Sequence, residues 1–450
     1  MPITFDDSLG TLVGSLSKSL GNTALKGLVV IRDATGFLSA VLATTVADEK
    51  LSAAEEGLRE ALGPYARTDA LLRGSAGIGA ARLLEEAARR PPVKIHDIEL
   101  QLLDRRVVGL DWLCSPQPST SGCPRIVFWS LKGGVGRTTA LCVIASHFSR
   151  LGLRVLAVDF DLEAPGIGTM LLASGEVPPF GVLDYLVESG VGPIGEEFIT
   201  DMIGDSALGS KGARVAVIPA VGQRTLDNPQ NALGKLSRAY IENVLDEGEP
   251  LTLSQQLSRL LDRVEKSGAF DVILVDARAG LHESAAAALL GLGAETLLFG
   301  IDQPQTFLGY RLLFAHLAQF EVDAEDDWRD RFHFVQAKAP GRDDERREAA
   351  QHFEALYELL TASETPDVSP VTEDLSADDF AMTWAEDGAL VEKTGFEPSP
   401  VTHIIEDGRY RDFDPLKNGD LLDPDVYQLS FRPLLDAVDS LVGLDSPGDN

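Results

Sequence analysis

The stretch Leu131-Lys132-Gly133-Gly134-Val135-Gly136-Arg137-Thr138-Thr139 decides the fold. Ahead of it runs Arg125-Ile126-Val127-Phe128-Trp129-Ser130, apolar and of strand length. Behind it Leu141, Ile144, Ala145 and Phe148 recur at i, i+3, i+4 and i+7, which is one face of a helix. The glycines therefore join the end of a buried strand to the start of a helix, the setting of a phosphate-binding loop. A helix start presents unpaired N–H groups and the positive end of the peptide dipole, and both attract phosphate. Gly133, Gly134 and Gly136 carry no Cβ, so the backbone can take φ > 0 and close around phosphate oxygens. Thr138 puts a hydroxyl at the position that reaches Mg²⁺, and Arg137 supplies positive charge where such loops normally carry lysine. The competing reading is a plain glycine-rich turn; the cations and threonines at this spacing speak against it.

Two later segments belong with this loop. Leu153 to Val158 reads as a second parallel strand and runs into Asp159-Phe160-Asp161-Leu162-Glu163-Ala164-Pro165-Gly166. Carboxylates just past a strand's C-terminal end lie at the edge where open α/β sheets bind ligand. An Asp-x-Asp there can also be a helix cap; the upstream loop favours ligand. Phe270-Asp271-Val272-Ile273-Leu274-Val275-Asp276 is an apolar strand ending in an acid that can hold Mg²⁺ through water.

On these residues the chain resembles the ParA/MinD group of P-loop ATPases, with Lys132 to Thr139 in the place of that group's deviant Walker A loop. Leu131 stands where an ordinary Walker loop has its first glycine. The resemblance implies a nucleotide site made by Gly133, Gly134, Val135, Gly136, Arg137, Thr138 and Thr139, with ATP and Mg²⁺ as cofactors. It gives Lys132 a role across an ATP-bound homodimer, on the partner's phosphates. It puts Asp161 where the attacking water is oriented, Asp159 near the Mg²⁺ side with Thr138 and Asp276, and Gly280 where an N–H meets the γ-phosphate. Gln336 and Lys338, in the strand and loop Phe332 to Pro340, fall on the adenine side. Arg278 stands where better-known members have proline, and Arg137 where they have lysine. Arginine keeps the charge but is a planar fork, which puts the hydrolysis rate in question. Residues alone do not separate ATP from GTP.

Composition narrows the classes. The 450 residues carry 70 acidic against 39 basic side chains, a formal charge of −31. Such a field opposes binding to DNA or to anionic lipid. Three cysteines without Cys-x-x-Cys spacing make neither a disulfide framework nor a metal knuckle, and Cys142 reads as a small core residue. The first residues are acidic and lack signal-peptide order, and the longest apolar run, Ser284 to Ile301, is interrupted by Glu295. The expected compartment is the cytoplasm, with no membrane partner.

Residues 1–122 precede the ATPase-like part. Leu28 to Ile31 and Phe37 to Leu42 read as strands around Asp33 to Gly36, and Ser52 to Leu62 as a helix with Ser52 as N-cap and Glu55 at capping-box spacing. A helix near Gly79 to Arg89 follows, then a hairpin of Lys94–Leu103 and Arg106–Leu113 through Asp104-Arg105. His96 and Asp97 read as turn or surface residues, and Ser115 to Gly122 as a linker. Beyond the loop, elaborations are expected near 173–250 and 341–398, the latter with an acidic loop over Thr361–Asp378; Val401 to Ile405 is the last strand, and a helix over Asp425–Val442 closes the chain. His282 and Glu283 read as surface residues.

The expected architecture is a doubly wound, mostly parallel α/β sheet over 123–450, preceded by a small α+β domain that docks an unidentified protein partner. The expected function is a Mg-ATP-driven ATPase switch, dimeric with ATP, that recruits or releases that partner. Its rival is a scaffold that binds nucleotide and hydrolyses little. A P-loop tyrosine kinase is disfavoured because Tyr410 and Tyr427 stand alone.

Overall fold

In the computed structural model the described residues are 3–88, 92–106, 108–210, 213–241, 243–244, 250–323, 325–361 and 399–444. They divide into two units, Met1–Leu110 and Asp111–Asn450.

The first unit opens with α1 (Phe5–Leu20), whose start is fixed by Asp7 accepting from Thr4 N at 3.3 Å and Thr4 Oγ1 at 2.6 Å. Leu9, Leu12, Val13 and Leu16 share its buried face. The unit continues through β1 (Leu28–Arg32), β2 (Leu38–Val41), α2 (Asp48–Leu62), β3 (Leu72–Arg73), α3 (Ala80–Ala87), β4 (Val93–Ile95) and β5 (Ile98–Asp104). Its sheet runs β3-β2-β1-β5-β4. β1 and β2 are antiparallel, as the Asp33–Gly36 turn requires, and β1 and β5 are parallel.

Two local expectations fail here. α2 begins at Asp48 rather than at Ser52, because Asp48 and Glu49 already favour the positive helix start. The hairpin turns at His96-Asp97, with His96 at φ 52°, and not at Asp104-Arg105. There Arg105 N instead meets Arg32 O at 2.7 Å and Arg106 pairs with Asp104 at 2.8 Å, which ends β5. Asp111–Leu113 is a 3₁₀ turn of the second unit, not a strand.

The second unit contains β6 (Arg125–Ser130), α4 (Arg137–Arg150), β7 (Val155–Asp159), α5 (Ile167–Leu171), α6 (Val182–Ser189), α7 (Glu196–Thr200), β8 (Gly204–Asp205), β9 (Val215–Ile218), α8 (Gln223–Asp227) and α9 (Ala232–Ala239). Then follow β10 (Asn243–Val244), β11 (Pro250–Leu251), α10 (Leu253–Glu265), β12 (Val272–Asp276), α11 (Glu283–Gly291), β13 (Glu295–Gly300), α12 (Pro304–Leu317), β14 (Phe332–Ala339), α13 (Asp343–Thr361), β15 (Thr402–Ile405) and α14 (Pro424–Leu441). The acidic loop expected over Thr361–Asp378 lies, past residue 361, outside the described residues.

Its main sheet is ordered β15-β14-β13-β6-β12-β7-β9-β8 and is parallel except at β8. β6, β12, β7 and β9 are fully buried, as strands covered on both faces must be. Val127 and Trp129 point to the side packed by α10, α11, α12 and α13. Ile126 and Phe128 point to the side packed by α4 and α14. From β6 the chain runs to β7 and β9 on one side, then returns through β12 to β13, β14 and β15 on the other. The reversal at the C-terminal end of β6 is a topological switch point, the place where such sheets bind ligands.

The segment expected as a linker is held by the second unit. Gln117 N donates to Leu290 O at 2.7 Å, Thr120 N to Gly293 O at 3.1 Å, and Ser119 N to Asp326 at 2.7 Å. Turn-rich composition gave no hint of these bonds to distant residues. α14 also turns Leu429 outward, whereas Phe431, Leu434, Leu435 and Val438 are buried. Among the described residues no helix is long and apolar enough to cross a membrane.

Candidate functional site

The loop 131–136 lies at the C-terminal end of β6. Gly134 at φ 75° and Gly136 at φ 95° take the left-handed turn that a side chain resists, and Gly136 is the N-cap of α4. A Cβ placed on Gly133, Gly134 or Gly136 meets nothing within 4 Å, so the loop encloses open space in front of the helix start. Ser130 Oγ braces the loop by donating to Lys132 O at 2.8 Å. The Lys132 side chain is exposed, whereas Leu131 folds back against α12 near Gly309.

Strand register brings the acids to the same place. Asp276, the last residue of β12, is level with Asp159 of β7 on one side and with Phe128 of β6 on the other. Thr138 Oγ1 donates to Asp276 Oδ2 at 2.7 Å. Asp276 Oδ1 is buried and has no hydrogen-bond partner. Burial raises the Asp276 carboxyl to about 6, against the opposing pull of Arg137. A hydroxyl and an orphaned carboxylate oxygen below an anion cradle fit Mg²⁺, which keeps most of its waters and takes few protein ligands. Accordingly, no cluster of three or more His, Cys, Asp or Glu stands ready for a metal among the described residues.

Asp159 sits one strand away, but its oxygens are engaged. Oδ1 accepts from Asp161 N at 3.0 Å; Oδ2 accepts from Gly166 N at 2.9 Å and Ile167 N at 3.1 Å. It therefore shapes the loop 160–166 and ties down the start of α5. Burial, with the nearby Asp276 charge, raises its carboxyl to about 8. Asp161 is buried behind the cradle; Oδ1 accepts from Ala164 N at 3.2 Å and Oδ2 lies 3.9 Å from Arg137.

Arg137, expected on the phosphates, is turned into the fold. Its guanidinium is buried and donates to Ala277 O at 2.6 Å, with Asp161 at 3.9 Å and Asp276 at 4.0 Å. The planar fork is satisfied by the protein itself. The Gly280 N–H is likewise committed, donating to Ser130 O at 2.9 Å.

Residues 126–267, which include this loop and both Asp159 and Asp161, match the family model described as "CobQ/CobB/MinD/ParA nucleotide binding domain". Within the second unit, residues 126–267 are similar to that nucleotide binding domain. Solved structures similar to the chain include the MinD cell division protein of Aquifex aeolicus (16% identity, 73% of this chain and 100% of that one, TM-score 0.43). Others are the septum site-determining protein MinD of Pyrococcus horikoshii OT3 complexed with Mg-ADP (17%, 72% and 100%, TM-score 0.42) and a ParA family ATPase from Chlorobium tepidum TLS (16%, 70% and 98%, TM-score 0.41). No curated protein sequence matches.

A second opening lies beside the loop 131–136. A cavity of about 300 Å³ is lined by Gly134, Gly136, Thr139, Lys338, Glu406 and Tyr410, among others. Lys338 stands there at φ 51°, where the pairing of β14 with β15 shifts between Gln336 and Ala339. Gln336 is buried in β14 and is not part of the lining. The loop after β15 was missed as a site element. Tyr410 is fixed by its hydroxyl on Leu421 O at 2.8 Å and by edge contact with Phe431. The rule that placed Asp159 and Asp276, ligands past strand ends, points equally to 406–411 after Ile405.

His282 and Glu283 are not plain surface residues. His282 Nδ1 accepts from Ser284 N at 3.3 Å and caps α11, and Glu283 Oε1 accepts from Asp111 N at 2.7 Å. Arg278 is ion-paired with Glu163, a residue sequence reasoning passed over.

Proposed function

We propose that this protein binds MgATP at the loop 131–139 and works as a nucleotide-dependent dimerisation switch that recruits or releases a protein partner. The observation that carries the reading is the Thr138–Asp276 bond at the floor of an open glycine cradle, with Asp276 Oδ1 left without a hydrogen bond. The backbone N–H groups at the start of α4 bind and orient the phosphates. Thr138 and Asp276 would hold Mg²⁺ there. Mg²⁺, when bound, neutralises phosphate charge. Asp161, sheltered from bulk water and fixed by Ala164 N, orients the attacking water. Asp159 acts on this chemistry by holding the loop that carries Asp161. The cavity bounded by Lys338 and Tyr410 receives the base, its Tyr410 ring offering an aromatic wall. Lys132, exposed at the loop's rim, is available to a second copy of the chain. Residues 1–122 are the expected partner-docking part. The net charge of −31 weighs against nucleic acid or anionic lipid as that partner.

Calorimetric titration of the full chain with ATP and Mg²⁺ tests the reading. Saturable heat, lost when Thr138→Ala is combined with Asp276→Asn, supports it; absence of heat with ATP and with GTP refutes it.

A slow-hydrolysing scaffold is favoured by one observation: the Arg137 guanidinium is bound to Ala277 O rather than extended into the cradle. Turnover separates the two readings. A wild-type rate no higher than that of Asp161→Ala selects the scaffold.

A further inference from the structure

The Glu163 carboxylate joins three segments. It lies in the loop after β7, two residues beyond Asp161. Its Oε1 accepts from the Tyr240 hydroxyl at 2.6 Å, and Tyr240 is the C-cap of α9. The same oxygen stands 3.4 Å from Nε2 of His282, and Oε2 is ion-paired with Arg278. Arg278 and His282 belong to the loop between β12 and α11. The Tyr240 and His282 rings meet edge to face, with centroids 5.2 Å apart. Glu163 and Arg278 are only 20% and 29% exposed, so the pair is largely sheltered from screening water.

Each arm ends close to the phosphate loop. Arg278 follows Ala277, whose carbonyl holds Arg137, and two residues on Gly280 N is bonded to Ser130 O at the loop's root. Asp161 is reached from Glu163 through Leu162 alone. A shift of the β12–α11 loop that turns the Gly280 N–H from Ser130 toward a phosphate would carry Arg278 along, and with it Glu163. Tyr240 is the outer end of that chain of contacts.

We propose that Glu163 is a positioning residue: its carboxylate makes the loop after β7, the loop after β12 and the end of α9 move as one unit, so that occupancy of the phosphate site is read out at Tyr240. The inference rests on the nucleotide-binding reading given above. A half-buried glutamate that merely stabilised its own loop would not link these segments.

Amide hydrogen exchange on the full chain, with and without Mg²⁺ and a non-hydrolysable ATP analogue, tests the coupling. In wild type the analogue slows exchange at 131–139, at 277–284 and also, by at least tenfold, at 236–241. In Glu163→Gln the slowing at 131–139 persists and that at 236–241 disappears. In Tyr240→Phe it disappears at 236–241 but stays at 277–284. Equal slowing at 236–241 in wild type and Glu163→Gln overturns the proposal. Should wild type show no slowing at 131–139, the nucleotide-binding reading fails on its own account. The clamp is then judged without ligand: Glu163→Gln must speed exchange at 160–166, 277–284 and 236–241 together, and a rise confined to 160–166 overturns it.

Discussion

Replacing Asp276 by asparagine should stabilise the resting fold as the pH rises, while removing the metal side of the site. The carboxyl is buried, and burial lifts it from the ordinary 3.8 to about 6. As pH climbs past 3.8 the unfolded chain releases this proton before the folded chain does. Stability present at low pH is therefore lost through the window from 3.8 to about 6. At pH 7 the full gap applies, about 3 kcal/mol at 1.36 kcal/mol per pH unit. Asparagine does not ionise and escapes this loss. Its amide oxygen can still accept from Thr138 Oγ1, while its NH₂ has no acceptor in the place of the orphaned Oδ1, a fixed cost of about 1–3 kcal/mol.

The fixed cost blurs the absolute difference but not its slope. Between pH 5 and pH 8, above the sequence isoelectric point of 4.5, the stability of Asp276→Asn relative to wild type should rise by about 1.4 kcal/mol. Neutralising Asp276 also relieves Asp159, level with it across the sheet, which adds to the same trend. Urea unfolding followed by tryptophan fluorescence is the assay, in EDTA and without nucleotide. All 4 tryptophans lie beyond residue 110, so the signal reports the second unit. A relative stability constant across this range, or one that falls as pH rises, refutes the reasoning.

The other expectations concern binding. Thr138→Ala removes the hydroxyl that donates to Asp276; Mg²⁺-dependent nucleotide affinity should drop by about tenfold or more, corresponding to a loss of about 1.5–3 kcal/mol, by calorimetry. Gly136→Val forces a branched side chain to φ 95° and into the cradle; nucleotide binding should vanish and urea stability fall by about 1–3 kcal/mol. Lys132→Ala should leave nucleotide affinity within about threefold of wild type while weakening ATP-dependent dimerisation, read by light scattering or sedimentation.

The legible part of this chain is the part where local chemistry and topology coincide. Strand, glycine loop and helix follow one another without a break from Arg125 to Arg150, and each reports its own periodicity or backbone need. Asp276 was readable for the same reason: an acid after four apolar residues, Val272 to Val275, reads as a strand end. What the sequence conceals is contact across distance. Nothing near Arg137 announces that Ala277 O will take its guanidinium, 140 positions away. Nothing near Tyr240 announces Glu163, 77 positions away. In the first unit, β5 lies parallel to β1, so its neighbour is set by the sheet and not by the next turn signal along the chain; the hairpin placed at Asp104 ignored that partner. Arg137 is hidden by the same physics. The Arg137 guanidinium has found a carbonyl and two carboxylates inside the fold, and only the folded chain, not the spacing of the loop, brings those three groups to it.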